Sequence, residues 1–210
     1  MACTLRTKDI TVDARPYIAI TMGDPAGIGP EVIAKALLDG SVYEQCRPFV
    51  IGNEDAMRDA LRLVGNGAST RSAPSVEDIL GRLGSVDVLD IGNLDYGEIA
   101  QGRVSAAAGR ASVEWIHKAG DLASEGKIQA IVTAPINKEA CSLAGFKDIG
   151  HMEILQRRSG ATEVATVLMA EGLRVVHLTT HKSLRAACDY VTKDNVLSMI
   201  VLTDKSFRQW

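Results

Sequence analysis

The sequence predicts an α/β protein with α/β/α layers, in which helices cover both faces of a mainly parallel sheet. Short apolar runs alternate with helical segments along the chain, a spacing typical of βαβ units. A glycine-rich turn at residues 22–29 follows the first run, and a proline-bearing turn at residues 134–137 follows a later one. Because open α/β sheets bind ligands where their strands end, both turns indicate the carboxyl edge as the functional edge.

Local patterns predict each element in order. Pro30 fits the first position of a helix that stops at residues 39–40, and Asn53 caps the next helix. Strands are predicted at residues 17–21, 49–52, 86–90, 130–133, 165–169 and 175–178. Further helices are predicted at residues 105–125, from 138, from 153, at 183–190 and at 194–210, with irregular stretches at 66–75 and 93–103.

Two α/β domains are expected, residues 1–100 and residues 101–210. The irregular stretch at residues 92–103 is the best place for a boundary, and 210 residues suffice for one large domain or two small ones. The chain ends at Trp210 on an amphipathic helix without a glycine stop or a tail. This ending suits a natural terminus and also a second domain that is incomplete at its C-terminus.

Composition favours a cytoplasmic protein without nucleic-acid or membrane partners. The chain is 46% hydrophobic and 23% charged with a net charge of −3, so it has no basic surplus for nucleic acid. Neither a signal-peptide core nor an apolar run of membrane-spanning length is expected. The four cysteines lie far apart without metal-ligand spacing, which argues against a disulfide framework and a cysteine zinc site.

Two groups of polar residues follow predicted strands. Asn137, Lys138 and His151 come after the strand at residues 130–133, where a helix start would suit an anion; an ordinary turn with a solvated Lys138 fits equally well. The turn GDPAGIGP matches neither the dinucleotide nor the Walker pattern. Its glycines suit tight turning and close packing, and Asp24 either supports the turn or faces a ligand.

The four histidines have different settings. His151 and His181 stand at the ends of elements, where imidazole can bind a metal or an anion. His117 is predicted on a helix surface, and His177 is predicted to be packed in a strand. A catalytic zinc-like site usually takes three protein ligands. With at most two suitable histidines, a complete metal site would need a carboxylate or residues that this sequence does not contain.

Four motifs resemble, in order, the 4-hydroxythreonine-4-phosphate dehydrogenase family of pyridoxal phosphate biosynthesis. They are ITMGDPAGIGPEVIAKAL at residues 20–37, VTAPINKEA at 132–140, GH at 150–151 and TTH at 179–181. The resemblance implies an isocitrate/isopropylmalate-dehydrogenase-like fold and a homodimer, with the active site between two domains. It also implies NAD- or NADP-dependent oxidation of 4-phosphooxy-L-threonine, assisted by a divalent metal (Zn, Mg or Co), followed by decarboxylation.

The resemblance also assigns roles to individual residues. It places His151 in substrate binding and His181 as the first metal-binding histidine. Lys138, next to the turn, is a further candidate catalytic contact that the resemblance itself does not assign. Met152 stands where the family has a substrate-binding threonine, so one hydroxyl contact is missing. Losing such a contact to a charged group costs on the order of 1.5–3 kcal/mol, enough to shift substrate preference.

Two alternatives stay open. The wording TAPINKEA also resembles paralogues that oxidise 4-phospho-D-threonate or 4-phospho-D-erythronate in sugar-acid catabolism, and Met152 fits a shifted substrate. The family's other metal and substrate residues lie in motifs of the type NPH and HDQG, which this sequence lacks. The chain is therefore expected to be C-terminally incomplete, and a non-catalytic fragment is the alternative from a different class.

Overall fold

The computed structural model describes residues 13–65, 67–148, 150–180 and 182–209. The chain forms two compact units, the first ending at Ser159 and the second beginning at Gly160. The expected boundary near residue 100 falls inside the first unit. The reason is that the strand beyond it, Ala130–Thr133, pairs in parallel with the first strand of the chain, Tyr17–Thr21.

The first unit is built on a parallel sheet with the strand order β3-β4-β2-β1-β5. The strands are β1 (Tyr17–Thr21), β2 (Arg47–Ile51), β3 (Ser69–Ser72), β4 (Ser85–Leu89) and β5 (Ala130–Thr133). β1 lies between β2 and β5, with Ile18 paired to Pro48 on one side and Ala130 on the other. The predicted, mainly parallel α/β sheet is thus confirmed.

Six α-helices accompany this sheet within the described part of the first unit. They are α1 (Gly29–Ala36), α2 (Gly40–Gln45), α3 (Glu54–Val64), α4 (Ala106–Ser124), α5 (Lys138–Leu143) and α6 (His151–Ser159). The chain moves from β1 toward β4 through α1 and α3, then returns through α4 to β5. Because right-handed crossovers in opposite directions place helices on opposite faces, the result is three layers. α4 also packs against α5 and α6.

Side-chain caps fix where the predicted helices begin. Asn53, Ser105 and Asn137 each accept a hydrogen bond from the backbone N–H three residues ahead, and Pro30 lies in the first turn of α1. The core between the layers is formed by side chains of β1, β2, β4 and the helices, with Phe49 and Trp115 fully buried.

Several elements differ from the sequence prediction, among them β3, α2 and α6. β3 lies in a predicted loop: its sequence STRS is polar because it is an edge strand that pairs only with β4 and buries no side chain. α2 follows the predicted helix stop, since the Asp39 side chain accepts from the Ser41 N–H and begins a new helix. α6 begins at His151, two residues before its predicted start.

The second unit contains a β-hairpin and two helices. Its elements are β6 (Val167–Ala170), β7 (Leu173–Val176), α7 (Leu184–Tyr190) and α8 (Lys193–Gln209). β6 and β7 pair in antiparallel fashion in a sheet of their own. None of the described side chains of this unit is buried, and apolar residues of α8 such as Leu197 and Ile200 are more than half exposed. Nowhere in the described ranges is a helix long and apolar enough to cross a bilayer.

Candidate functional site

The strand order places a topological switch point between β1 and β5. From β1 the chain proceeds to β2 and β4 on one side, and it returns to β5 on the other side. In open α/β sheets the carboxyl ends of the strands at such a point form the ligand-binding edge. The two turns that the sequence singled out, residues 22–29 and 134–137, directly follow β1 and β5. They therefore meet at this edge.

The two turns are joined by backbone contacts. The Asp24 N–H donates to the Pro135 carbonyl at 2.8 Å, and the Ala134 N–H donates to the Thr21 carbonyl at 3.1 Å. Gly23 has a φ of +73°, and a Cβ atom at this position would lie 2.3 Å from the Pro135 oxygen. Only glycine fits this combination of left-handed backbone and close approach.

α4 contacts the glycine-rich turn through a buried hydrogen bond. The Ser112 hydroxyl is buried and lies 2.8 Å from the carbonyl oxygens of both Gly23 and Ala108. Asp24 is also buried, and its Oδ1 accepts from the Ala26 N–H at 2.9 Å. Burial raises the pKa of the Asp24 carboxyl, while the Ala26 hydrogen bond acts to lower it. The sequence left open whether Asp24 supports the turn or faces a ligand. The hydrogen bond from Ala26 shows that it supports the turn.

A cavity of about 310 Å³ opens beside the same turn. It is lined by the turn and α1, by one face of α3, and by Tyr96 and Gln101 of the irregular stretch that precedes α4. Gln101 donates to the Pro25 carbonyl at 3.1 Å and holds this stretch over the turn. Glu31 and Asp59 supply the carboxylates of the lining, which suit hydroxyl donors better than phosphate groups.

Lys138 lies at the start of α5, on the turn that follows β5. The Asn137 side chain accepts from the Ala140 N–H at 3.0 Å and fixes the start of this helix. Lys138 is exposed, and its charge reaches His151, whose pKa it lowers. Lys138 and His151 thus both follow β5, at the starts of α5 and α6, and their meeting in one site stays a prediction.

His151 is the first residue of α6, and its imidazole lies against the turn after β5. Its Nε2 atom is buried without a hydrogen-bond partner among the residues described. Burial is the largest influence and lowers the pKa of His151; a hydrogen bond with the Ala134 backbone and the Glu153 carboxylate raise it, and Lys138 lowers it. Buried polar atoms are nearly always paired in folded proteins, so the unpaired Nε2 indicates a place for a ligand atom.

The other candidate residues fare differently. Met152 follows His151 in α6 and is partly exposed, whereas His181 lies outside the described residues. His117, predicted on a helix surface, is instead partly buried edge-on against Phe146, with 6.3 Å between ring centroids. Within the described ranges no three His, Cys, Asp or Glu side chains are grouped so that they could hold a metal.

Two contributors were missed by the sequence analysis. Ser112 gives no local signal, because its contact with Gly23 joins residues 89 positions apart. Glu153 does give one: it stands three positions after Gly150 at a helix start, the spacing of a residue that folds back onto the helix N-terminus.

Fold and edge together define a doubly wound α/β protein of the kind that binds ligands at a switch point. More specifically, the chain belongs to the family described as pyridoxal phosphate biosynthetic protein PdxA, whose family model matches residues 44–210. The resemblance seen in the motifs is thereby confirmed.

Named relatives agree with this assignment. A D-threonate 4-phosphate dehydrogenase of Cupriavidus necator is 45% identical over 169 residues, which cover 80% of this chain and 50% of that protein. Among solved structures, a 4-hydroxythreonine-4-phosphate dehydrogenase from Burkholderia phymatum is 40% identical with a TM-score of 0.82, covering 89% of this chain and 56% of that one. The corresponding enzyme from Klebsiella pneumoniae is 36% identical with a TM-score of 0.86, covering 93% and 59%. The chain thus spans between half and three fifths of the length of these relatives.

The contact between the two turns yields a prediction. Gly23→Ala should lower the free energy of unfolding by about 2–4 kcal/mol, because it combines left-handed strain with a clash against backbone. Urea denaturation followed by the fluorescence of Trp115, which is buried in the first unit, measures the loss. Gly27→Ala is the matched control on the same turn: the nearest atoms to its Cβ would be 3.5 Å away, so it should change stability by less than about 0.5 kcal/mol. Equal effects of the two substitutions would contradict this account.

Proposed function

We propose that this chain carries the substrate-binding edge of an NAD- or NADP-dependent dehydrogenase that oxidises a CH–OH group of a small phosphorylated hydroxy acid. The observation that carries the proposal is the unpaired, buried Nε2 of His151 at the switch point. The family and the names of the relatives support the same reaction class. In this proposal His151 binds a polar group of the substrate, and Met152 adjoins the same group.

Two substrates follow from the relatives' names, and each has support. The first is 4-phosphooxy-L-threonine in pyridoxine biosynthesis, with decarboxylation of the product, in line with the Burkholderia phymatum enzyme. The second is 4-phospho-D-threonate, in line with the Cupriavidus necator relative; 4-phospho-D-erythronate is kept beside it on the resemblance of the motif TAPINKEA alone. Met152 supports the second, because a thioether cannot donate the hydrogen bond that a threonine hydroxyl supplies.

Substrate binding to His151 variants tests the proposal. Calorimetry with each phosphorylated acid should give an affinity about 10- to 100-fold weaker for His151→Gln than for the wild type, the loss of one hydrogen bond to a charged group. His117→Gln is the matched control, because His117 packs against Phe146 in the same unit; it should bind like the wild type.

The two acids and a turnover assay separate the alternatives. Tighter binding of 4-phospho-D-threonate than of 4-phosphooxy-L-threonine would select the second substrate. Binding that depends on His151 without NAD- or NADP-linked oxidation would select the non-catalytic fragment. Equal affinities of wild type and His151→Gln for both acids would refute the role of His151.

His181 is the one residue that we propose as a ligand of a divalent metal ion. The described residues do not form a ligand set, so we derive no chemical step through a metal ion; we propose His181 as one ligand of a divalent ion. Because a catalytic site usually takes three protein ligands, calorimetry with Zn²⁺, Co²⁺ and Mg²⁺ should show no tight binding to the wild-type chain or to His181→Ala. Tight binding to the wild type that His181→Ala abolishes and the neighbouring control His177→Ala retains would mean that a site is assembled around His181, whereas tight binding shared by all three proteins would exclude this ligand.

We further propose a homodimer in which α8 contributes to the interface. Leu197, Ile200 and Val201 are each more than half exposed on this helix, and contiguous exposed apolar side chains mark interaction surfaces. Light scattering should give twice the 22.4 kDa of one chain for the wild type and the single mass for Leu197→Glu. Ser198→Glu places the same charge at a neighbouring polar position and should stay dimeric. A monomeric wild type would end this proposal.

Location in the cytoplasm remains a prediction from composition.

A further inference from the structure

The start of α6 has an unusual steric arrangement. A Cβ atom added to Gly150 would lie 2.1 Å from Oε2 of Glu153 and 3.0 Å from its carboxyl carbon. The Glu153 side chain therefore folds back across the helix start and occupies the space that a side chain at position 150 would need. Position 150 therefore requires room for this carboxylate.

The folded-back carboxylate belongs to a small set of groups that act on His151. Glu153 acts from within α6, Lys138 acts from the start of α5, and the backbone of Ala134 acts from the turn after β5. Burial and Lys138 lower the pKa of His151, whereas Ala134 and Glu153 raise it. Glu153 is thus the acidic side chain in this set, and it opposes both burial and Lys138.

We propose that Glu153 is a positioning residue for His151: from the space left open by Gly150, its carboxylate fixes the start of α6, the helix whose first residue is His151. The inference rests on the proposed substrate-binding role of His151. A carboxylate at the first turn also interacts favourably with the helix N-terminus, which keeps it in this place. The string Gly-His-x-Glu then works as one unit, in which the glycine provides room, the glutamate provides charge and the histidine meets the ligand.

The charge on His151 decides which ligands it attracts. Both proposed substrates carry a carboxylate and a phosphate group, and an imidazolium attracts such anions where a neutral imidazole does not. Burial of His151 works against this charge. By opposing the effect of burial, Glu153 would increase the fraction of protein molecules that are ready to accept an anion at a given pH.

The test is an NMR titration of the His151 ring protons in the free protein. Glu153→Gln retains the shape of the side chain and removes its charge, so the pKa of His151 should fall below its wild-type value. Gly150→Ala should move it in the same direction by displacing the flexible carboxylate. Glu139→Gln, at an exposed first-turn glutamate of α5 that does not shift His151, is the matched control and should leave the titration unchanged.

Combining the substitutions sharpens the result. The double variant Glu153→Gln/Gly150→Ala should shift the titration no further than the larger single change, since both act through one carboxylate. Additive shifts, or an unchanged titration in Glu153→Gln, would overturn the proposal.

Anion binding separates this inference from the proposed function. With inorganic phosphate as the probe, Glu153→Gln should bind about two- to fivefold more weakly than the wild type near the midpoint of the His151 titration, the range expected of one partly solvated charge pair. This difference should disappear at lower pH, where His151 is charged in both proteins. If the titration shifts as expected but His151→Gln does not affect phosphate binding, the positioning role of Glu153 stands and the substrate role of His151 fails.

Discussion

The contact between the turns after β1 and β5 is the constraint on which the rest of the site depends. Gly23 and Pro135 approach so closely that a single Cβ atom could not be accommodated, and one backbone hydrogen bond joins the two turns. Because these strands flank the switch point of the sheet, their separation determines where every side chain on the carboxyl edge lies. A displacement here would move both Lys138 and the surface against which His151 packs.

α4 connects the glycine-rich turn to α6, the helix that begins with His151. At its N-terminal half Ser112 holds the carbonyl of Gly23, and near its C-terminal end Asp121 forms a paired ion contact with Arg158 of α6 at 2.6 and 2.7 Å. Both partners of the ion pair are partly exposed, so the pair contributes no more than about 1 kcal/mol. The ion pair matters mainly for geometry. The same helix, α4, contacts the glycine-rich turn through Ser112 and contacts α6, which begins with His151, through Asp121.

The sequence was sufficient where a signal is local. Helix starts at Asn53, Ser105 and Asn137 are encoded by the capping side chain itself, and the apolar runs of β1, β2 and β4 announce buried strands. It was insufficient for β3, which is a strand only because β4 offers it a parallel partner. It also could not reveal the contact between Ser112 and Gly23 or the unpaired state of the His151 Nε2 atom. Such features arise when distant segments pack together, and no residue type or spacing encodes them.

The electrostatic setting of His151 explains why its protonation is a sensitive variable at this edge. Burial penalises the charged ring, and the neighbouring lysine adds to the penalty, while a carbonyl and a carboxylate reduce it. An anionic ligand would act on His151 in the same direction as the Glu153 carboxylate, and it would favour protonation of the imidazole. Lys138 would also attract the anion, although it disfavours the imidazolium while the ligand is absent. The same lysine thus opposes the charge on His151 in the free protein and supports anion binding in the complex, so the two residues function as a coupled pair rather than as independent contacts.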